Sequence, residues 1–365
     1  MNQPATDLDE LLSALAHTHT LLQQQAARSV DTALVVRNWL FGRHIVEFED
    51  GAASRTELYG QRLLDKLAQR LTTHLGGGFS KRNLELCRRF YLSYREIAQT
   101  VSAQSAHGNP AIAASHTAAW LAPLLGHFRL GWSHYVALMA LNNDAERRFY
   151  EIEASNNSWG VRELQRQIAT SLYERLALSR NADEVRALAQ DGQVVAKPAD
   201  LLKNPYVLEF LNLPERPAYS EHELETAIID QLQLFLLELG KGYLFEARQK
   251  RFTFDNDHFY VDLVFYNRLL RSYVLIDLKR DKLSHQDLGQ MQMYVNYFDR
   301  YVKTPEENNT IGIILCHQKN DALVEITLPQ EANIHAAQYQ LYLPSKEELQ
   351  ARLAQWVAQS EGASL

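Results

Sequence analysis

The sequence is poor in cysteine and has no long apolar run. Only Cys87 and Cys316 occur among 365 residues, too few for a disulfide framework or a cysteine zinc site, and both lie in patterns typical of reduced core thiols. No run approaches the length of a membrane span. The N-terminus carries Asp7, Asp9 and Glu10 in place of the apolar segment of a secretory signal. We therefore expect a cytoplasmic protein with no membrane partner.

An excess of basic residues is also absent. The formal net charge is −7, from 37 Lys and Arg against 44 Asp and Glu. Any contact with nucleic acid must therefore come from local basic patches or through a bound metal, because phosphate affinity rests on Lys and Arg. The hydrophobic fraction of 46% supports real cores, and the length accommodates two or three domains.

Hydrophobic periodicity divides the chain into a helical part and a mixed part. We expect an all-helical N-terminal domain over residues 1–185, for DNA binding or oligomerisation, with its first helix running from about Leu8 to Glu49. A linker is expected over 186–217, where turn-forming residues interrupt the pattern. Strands and helices alternate over 218–345. An amphipathic C-terminal helix is expected over 346–365.

A helix, a glycine turn and a second helix are predicted around residue 80. The first helix covers 56–75, Gly76-Gly-Gly78 ends it, and Ser80 is the expected N-cap of the next. This order is compatible with a helix-turn-helix or winged-helix-like DNA-binding element. It is equally compatible with an αα-hairpin that has a solvated basic face. The polar residues that would lie near DNA in the first case are Lys81, Arg82, Asn83 and Arg88.

The mixed part begins at a capping box, Ser220-Glu-His-Glu223, which opens one apolar helix that ends near Gly240. A turn is predicted at Lys250, between two short strands. A later apolar strand is expected to be parallel and central in a sheet. The strands predicted outside the hairpin described next cover 243–249, 251–254, 310–316 (the central one) and 339–343.

Two strand-forming runs carry the charged residues that stand out most. Residues 259–266 are β-branched and aromatic apart from Asp262 and its leucine neighbour, and residues 272–279 finish with Asp277 and Lys279. Runs of this kind joined by a polar connection predict a β-hairpin. Charges inside such a hairpin are unusual, since its other residues are suited to burial.

The register of the hairpin decides whether these charges meet. A connection centred near Leu269 places Asp262 opposite Ile276, within one residue of Asp277. Alternate residues of a strand share a face, so Asp277 and Lys279 point the same way. Two carboxylates and an ammonium then converge, although a slip of one residue would turn Asp262 to the other face.

Converging carboxylates are costly to bury unless they are paired or hold a metal. An ion pair between Asp277 and Lys279 at a strand end is the simpler interpretation. The second carboxylate, Asp262, favours a divalent cation, and hard oxygen ligands suit Mg²⁺ or Mn²⁺. With a lysine that steadies a water or a phosphate oxygen, this is equipment for metal-assisted hydrolysis of a phosphodiester.

The C-terminal half resembles the PD-(D/E)XK nuclease superfamily, because the expected residues follow in the same order. An acid on the first helix (Glu225) is followed by Asp262 on a strand and by Asp277-Leu-Lys279 on the next strand. Asp at position 277 replaces the commoner Glu but is accepted in the RecB-like branch. A helix bearing Gln290 and Tyr294 then resembles the Q-x-x-x-Y element of that branch.

Longer phrases, spread over nearly the whole chain, resemble the YhcG-type family within this superfamily. The phrases are Trp132-Ser-His-Tyr135, Trp159-Gly-Val-Arg162-Glu-Leu, Asn204-Pro-Tyr-Val-Leu-Glu-Phe-Leu, Leu224-Glu225-Thr-Ala-Ile-Ile, Phe259-Tyr-Val-Asp262-Leu, Ile276-Asp277-Leu-Lys279 and Gly289-Gln290-Met. The resemblance implies a restriction-endonuclease-like mixed β-sheet flanked by helices, with the site at one end of the sheet.

The resemblance also implies roles for the site residues. Asp262, Asp277 and the backbone carbonyl of Leu278 would bind Mg²⁺ or Mn²⁺, and Glu225 would contribute directly or through a water. Lys279 would orient the attacking water or stabilise charge on the phosphate.

Four further residues have weaker expected roles. Gln290 and Tyr294 lie one helical turn apart and would hold the metal shell or the nucleic-acid backbone, although core packing is an alternative for Tyr294. Arg248 and Gln249 precede the hairpin and would contact phosphate.

The function implied is a Mg²⁺-dependent deoxyribonuclease, for repair, recombination or defence against foreign DNA. The alternative is a non-catalytic nucleic-acid-binding or assembly module that retains the fold. DNA is the expected partner. A homo-oligomer, for which the helical half makes a dimer plausible, and a protein partner are compatible with the sequence.

Overall fold

The structure is a computed structural model that describes residues 31–49, 63–75, 77–97, 124–214, 219–329, 332–342 and 345–362. Two compact units divide the chain, Met1–Gln165 and Arg166–Leu365, and each is described by itself. Within the described residues, no helix combines the length and the apolar character needed to cross a membrane.

The first unit is helical throughout its described residues, as predicted. Its core is aromatic: Trp39, Phe90 and Tyr135 all pack around Phe128, with ring centroids 5.3 to 6.5 Å apart. The first predicted helix is observed over 31–49, and its earlier part lies outside the described residues. The further helices are α1 (Leu63–Leu75), α2 (Lys81–Ser93), α3 (Trp132–Leu138), α4 (Asp144–Asn156) and α5 (Val161–Ala169), the last of which crosses the division between the units.

The second unit opens with short elements that pack into it. They are α6 (Leu172–Ala177), α7 (Ala182–Asp191), the 3₁₀ turns Pro198–Leu201 and Glu209–Leu211, and strand β1 (Tyr206–Val207) between them. Arg175 forms a fully buried ion pair with Glu238. The main-chain N–H of Val207 also donates to that carboxylate, at 3.0 Å. The two compact units thus divide after Gln165. The sequence pattern places the helical domain over 1–185 and a linker over 186–217, where the two 3₁₀ turns and β1 lie.

A six-stranded mixed sheet forms the body of the second unit, in the order β1-β6-β5-β4-β3-β2. The pairs from β1 to β4 along this order are parallel, and β4, β3 and β2 are antiparallel. Strand β5 is interior and parallel to both neighbours, as predicted. The strands are β2 (Tyr243–Phe254), β3 (Asp257–Asn267), β4 (Ser272–Lys282), β5 (Ile311–Gln318) and β6 (Ile334–Gln340).

Helices cover both faces of the sheet, so the chain has the expected mixed sheet flanked by helices. On one face, Ile228 of α8 packs against Ile276 and neighbouring strand residues. On the other, Met291 of α10 packs against Leu275. Each such fully buried side chain contributes roughly 1.5–3 kcal/mol. The helices are α8 (Glu221–Asp230), α9 (Leu232–Leu239), α10 (His285–Tyr301), α11 (Asp321–Thr327) and α12 (Lys346–Gly362).

Three local predictions are corrected by the structure, which also contains one helix that the sequence pattern does not predict. The apolar helix after Ser220 is two helices, because the backbone at Gln231 leaves helical geometry (φ −116°, ψ 32°). No turn forms at Lys250: β2 is continuous, since β3 pairs with it on both sides of Gln249. The last strand spans 334–340, because pairing with β5 recruits small and polar residues that lack a strand signal. Helix α11 was not predicted.

Candidate active site

The hairpin of β3 and β4 places two aspartates opposite each other. Leu263 pairs with Ile276, so continuation of the antiparallel register sets Asp262 across from Asp277. This differs by one residue from the predicted register, which set Asp262 opposite Ile276. The reason is that Asn267 pairs with Ser272, and the centre of the resulting four-residue turn falls half a residue beyond the predicted one.

Asp262 is held by one donor from each neighbouring strand. Its Oδ2 accepts a hydrogen bond from the main-chain N–H of Leu278 at 2.9 Å. Its Oδ1 accepts one from Gln249 Nε2 at 3.0 Å. The side chain is half-buried. The orientation of the Asp262 carboxylate is therefore fixed, and each of its oxygens already accepts one hydrogen bond.

Asp277 is buried, with 2% of its surface exposed. Lys279 Nζ lies 2.9 Å from its Oδ2 as an ion pair, yet this oxygen has no well-aligned hydrogen-bond donor among the described residues. Burial and the negative charge of Asp262 raise the pKa of Asp277 to about 7, against the opposing charge of Lys279. The folded protein thus holds a carboxylate that is poorly satisfied in its charged form.

Lys279 lies between Asp277 and a third acid. Its Nζ is 3.6 Å from Glu221 Oε2 in the first turn of α8. Burial lowers the pKa of Lys279, but the charges of Asp277 and Glu221 outweigh burial, so the net pKa is raised above its usual range. The ammonium is therefore charged at neutral pH.

Glu225 occupies a supporting position. It is 2% exposed, and its Oε1 accepts a hydrogen bond from Arg248 Nε at 2.9 Å. Its Oε2 accepts one from Gln249 Nε2 at 2.7 Å. Because Gln249 also donates to Asp262, it bridges the two acids. Within the described ranges, no group of three His, Cys, Asp or Glu side chains is arranged to hold a metal. Glu225 is therefore not positioned as a third ligand beside the two aspartates, and Gln249 provides its connection to Asp262.

Gln249 combines this bridging role with an uncommon backbone. Its φ is +45°, a left-handed conformation that residues other than glycine rarely adopt inside a strand. Strained positions of this kind persist where the surrounding structure holds them and cluster at functional sites. The sequence predicts a phosphate contact for Gln249, whereas the structure turns its side-chain amide to two carboxylates. Arg248 likewise faces Glu225.

Gln290 and Tyr294 pair with each other on α10, where Gln290 Nε2 donates to the Tyr294 hydroxyl. Tyr294 is 1% exposed, which fits the core-packing alternative. Burial raises its pKa, Gln290 opposes this, and the charges of Asp277 and Asp262 raise the pKa further. The tyrosine is therefore part of the core and also close enough to sense both aspartates.

Glu221 was missed as a site residue. Besides its contact with Lys279, its Oε1 accepts a hydrogen bond from the Arg280 main-chain N–H at 3.3 Å. The capping box formed by Ser220 and Glu223 is present and fixes this first turn. The sequence signalled the cap, but only tertiary packing sets α8 against the end of β4.

Three of the four candidate DNA contacts of the first unit have protein partners. Lys81 forms an ion pair with Asp65 at 3.0 Å, and Arg88 forms one with Glu49 at 2.7 Å. Asn83 Nδ2 donates to the Gly78 carbonyl at 2.8 Å, and Ser80 caps α2 as predicted. Arg82 is exposed. A DNA-binding role for this helix pair stays a prediction.

The aspartate pair fits a divalent cation. The Asp277 oxygen without an aligned donor and the mutual repulsion with Asp262 are both relieved by a positive charge between them. Carboxylate oxygens are the ligands that Mg²⁺ and Mn²⁺ prefer, and Mg²⁺ is commonly held by one or two carboxylates with several waters. Two aspartates are therefore a sufficient protein contribution.

The chain is similar to known proteins over nearly its whole length. A family model described as the YhcG PDDEXK nuclease domain matches residues 199–354, and one described as the DUF1016 N-terminal domain matches residues 15–175. The protein named "Putative nuclease YhcG" from Escherichia coli (strain K12) is 35% identical over 347 residues, covering 93% of this chain and 92% of that protein.

Two solved structures match a smaller part. A repair endonuclease from Pyrococcus abyssi shares 19% identity over 36% of this chain and 50% of its own, with a TM-score of 0.25. An EndoMS–dsDNA complex shares 18% identity over 36% of this chain and 49% of its own, with a TM-score of 0.24. This chain thus spans about half the length of each.

Proposed function

The chain belongs to the YhcG-type nuclease family, and from that premise we propose that it is a metal-dependent nuclease that hydrolyses phosphodiester bonds in DNA. The observation that carries the proposal is the buried Asp277, which is set opposite Asp262 and has Lys279 Nζ 2.9 Å from its carboxylate. Carboxylates perturbed by burial and by a second carboxylate cluster at functional sites.

Asp262 and Asp277 are the residues that would hold Mg²⁺ or Mn²⁺, with the Leu278 carbonyl as a further ligand. A bound divalent cation supplies neutralisation of phosphate charge and lowers the pKa of water. Asp277 must be deprotonated to bind it, which its pKa of about 7 allows at neutral and higher pH.

The other site residues orient the carboxylates and stabilise the charge that develops during hydrolysis. Lys279 carries the positive charge that would stabilise an oxygen on which negative charge develops during hydrolysis. Gln249 fixes the Asp262 carboxylate from one side and Glu225 from the other. Gln290 holds the Tyr294 hydroxyl close to the aspartates, and the half-buried Gln290 amide would itself contact the nucleic-acid backbone.

A cleavage assay tests this function. We expect wild-type protein to cut DNA when Mg²⁺ or Mn²⁺ is added and to be inactive with a chelator. The substrates are single-stranded, duplex and branched DNA, with RNA in parallel. Asp277→Asn and Lys279→Met should each lose activity while folding persists. Asp281→Asn is the matched control, because Asp281 lies on the same strand with its side chain 76% exposed.

Two results would count against the proposal. Equal cleavage by wild type and both variants would place the reaction elsewhere. An inactive wild type on every substrate with both metals would favour a nucleic-acid-binding or assembly module that keeps the nuclease fold.

A further inference from the structure

A continuous row of aromatic rings leads from the aspartates to the surface of the second unit. Tyr294 contacts Phe252 edge to face, with ring centroids 5.6 Å apart. Phe252 stacks on Tyr297 at 4.1 Å with an interplanar angle of 19°. Tyr297 contacts Tyr301 at 5.2 Å. We call Tyr294, Phe252, Tyr297 and Tyr301 the aromatic row.

The row becomes more exposed with distance from the aspartates. Tyr294 and Phe252 are buried, Tyr297 is half-buried, and Tyr301 is 62% exposed. Phe254, at the tip of the β2–β3 hairpin, is 54% exposed. Two exposed rings that line the same groove form an apolar surface of the kind that binds a ligand.

A groove of about 350 Å³ lies along the exposed end of the row. None of the described residues that line it is a carboxylate, and Arg300, one of them, forms no ion pair with any described residue. The amide side chains of Gln292 and Asn296 in the groove can hydrogen-bond to base edges. The lining residues that bear on its ligand are Phe254, Gln292, Asn296, Tyr297, Arg300 and Tyr301.

From this arrangement we propose that the groove binds a single-stranded segment of DNA, with bases stacked on the exposed rings Phe254 and Tyr301. The inference rests on the proposed function and names its substrate class. In a duplex the bases stack on one another, so only unstacked bases can use exposed rings in this way.

The charged side chains around the groove favour a base against Phe254 and a phosphate near Arg300. The turn that follows Phe254 contains Asp255, and Asp257 pairs with Phe254 across the hairpin. These acids would repel a phosphate placed there. Arg300 lies on α10 one residue before Tyr301, where a phosphate between stacked bases would meet it.

The continuity with the catalytic residues favours a substrate strand over another occupant. Helix α10 carries both Gln290 of the site and Tyr301 of the groove, and β2 carries both Gln249 of the site and Phe254 of the groove. A strand held in the groove thus lies against the same helix and strand that carry these two site residues, and Gln249 in turn donates to Asp262.

The experiment measures binding in a background that cannot cleave. Full-length Asp277→Asn protein is titrated into a fluorescein-labelled oligodeoxythymidylate and into its duplex with oligodeoxyadenylate, followed by anisotropy. We expect tighter binding of the single strand. Adding Phe254→Ala and Tyr301→Ala should raise the Kd for the single strand about tenfold or more, and for the duplex much less. A 2-aminopurine in the strand should lose its fluorescence quenching in the same variant.

Two matched variants separate stacking from folding. Phe254→Trp with Tyr301→Phe keeps the rings and should retain affinity. Tyr342→Ala removes a tyrosine that is 47% exposed and lines no part of the groove, so it should bind as the parent does.

Three results would overturn the inference: tighter binding of the duplex, an unchanged Kd in the double alanine variant, or a loss of self-association in that variant with its affinity intact. The last would assign the groove to a second copy of the chain. If binding depends on the rings but wild type cleaves no substrate, the groove binds single-stranded DNA as proposed and the nuclease proposal is wrong.

Discussion

Asp277 lies buried beside a second carboxylate, and this placement costs the folded protein free energy at neutral pH. The group has a pKa of 3.8 when unperturbed and about 7 in the folded chain. Between these values the folded state binds a proton that the unfolded state has released, so the free energy of unfolding falls as pH rises. Below 3.8 the cost is absent, and above 7 it is fully present.

The cost can be measured in metal-free protein. We expect the unfolding free energy of wild type, relative to Asp277→Asn, to decrease as pH rises from about 4 to about 7. Denaturant titrations with a chelator at a series of pH values check this. Asp281→Asn should follow wild type because that side chain is exposed. Parallel profiles for wild type and Asp277→Asn would show that Asp277 titrates normally.

Gln249 illustrates a residue whose role depends on its backbone. With φ at +45°, its amide reaches Glu225 and Asp262 together. Its importance could not be read from the sequence, because nothing in a strand pattern announces a left-handed residue. The aspartates and the lysine, in contrast, were accessible from strand alternation alone.

We expect Gln249→Ala to weaken metal binding about ten- to hundredfold, since outer hydrogen-bond partners orient ligating carboxylates. The fold should persist, because Gln249 is exposed. Calorimetric titration with Mn²⁺ measures the effect. The neighbouring Lys250→Ala is the control, as its ion pair with Glu246 is exposed and contributes little. Equal affinity in both variants would remove Gln249 from the site.

At the level of secondary structure, helix α10 packs closely on the sheet because a glycine of β5 leaves room for it. A Cβ on Gly312 of β5 would lie 2.6 Å from Met291 Cγ. The close approach therefore sets how near Gln290 and Tyr294 come to the aspartates. A Cβ on Gly289, which lies on α10 itself, would meet no atom within 4 Å.

Gly312→Ala should destabilise the protein by about 1–3 kcal/mol, because it overpacks the contact between β5 and α10. Gly289→Ala is the matched control and should be neutral or stabilising, since alanine favours a helix. Thermal unfolding compares the two. Equal stability of both variants would mean that Met291 moves aside at no cost and that this contact does not determine the position of α10.

Elements with strong local signals were predictable. The capping box at Ser220, the cap at Ser80 and the interior strand β5 follow from local chemistry and apolar runs. The break between α8 and α9 at Gln231 was not predictable, because the pattern of apolar residues continues through it. The part of β6 before residue 339 was not predicted for the opposite reason: its pairing with β5 outweighs a weak intrinsic preference for strand.

At the scale of the whole molecule, the second unit includes the segment expected to be a linker. Glu238 is 1% exposed, and its partners Arg175, Lys203 and Val207 all lie before residue 218, in or ahead of that segment. Breaking a buried ion pair costs about 3–5 kcal/mol. Such a long-range pair joins residues far apart in sequence, so no local pattern reveals it.

A truncation experiment tests this organisation. A fragment that begins at Val161 should fold, because it retains the partners of Glu238. A fragment that begins at residue 218 removes them and should be aggregated or only partly folded. Circular dichroism and cooperative thermal unfolding distinguish the two. Cooperative unfolding of the shorter fragment at the same temperature would show that the nuclease unit starts where the sequence pattern placed it.

The most direct measurement of the two-aspartate centre is calorimetric titration of Mn²⁺ into full-length, metal-free protein at a pH above the pKa of Asp277. It needs no knowledge of the substrate. We expect wild type and Asp281→Asn to bind the ion equally, and Asp262→Asn and Asp277→Asn each to bind it at least about tenfold more weakly. Equal Mn²⁺ affinity in all four proteins would contradict the account.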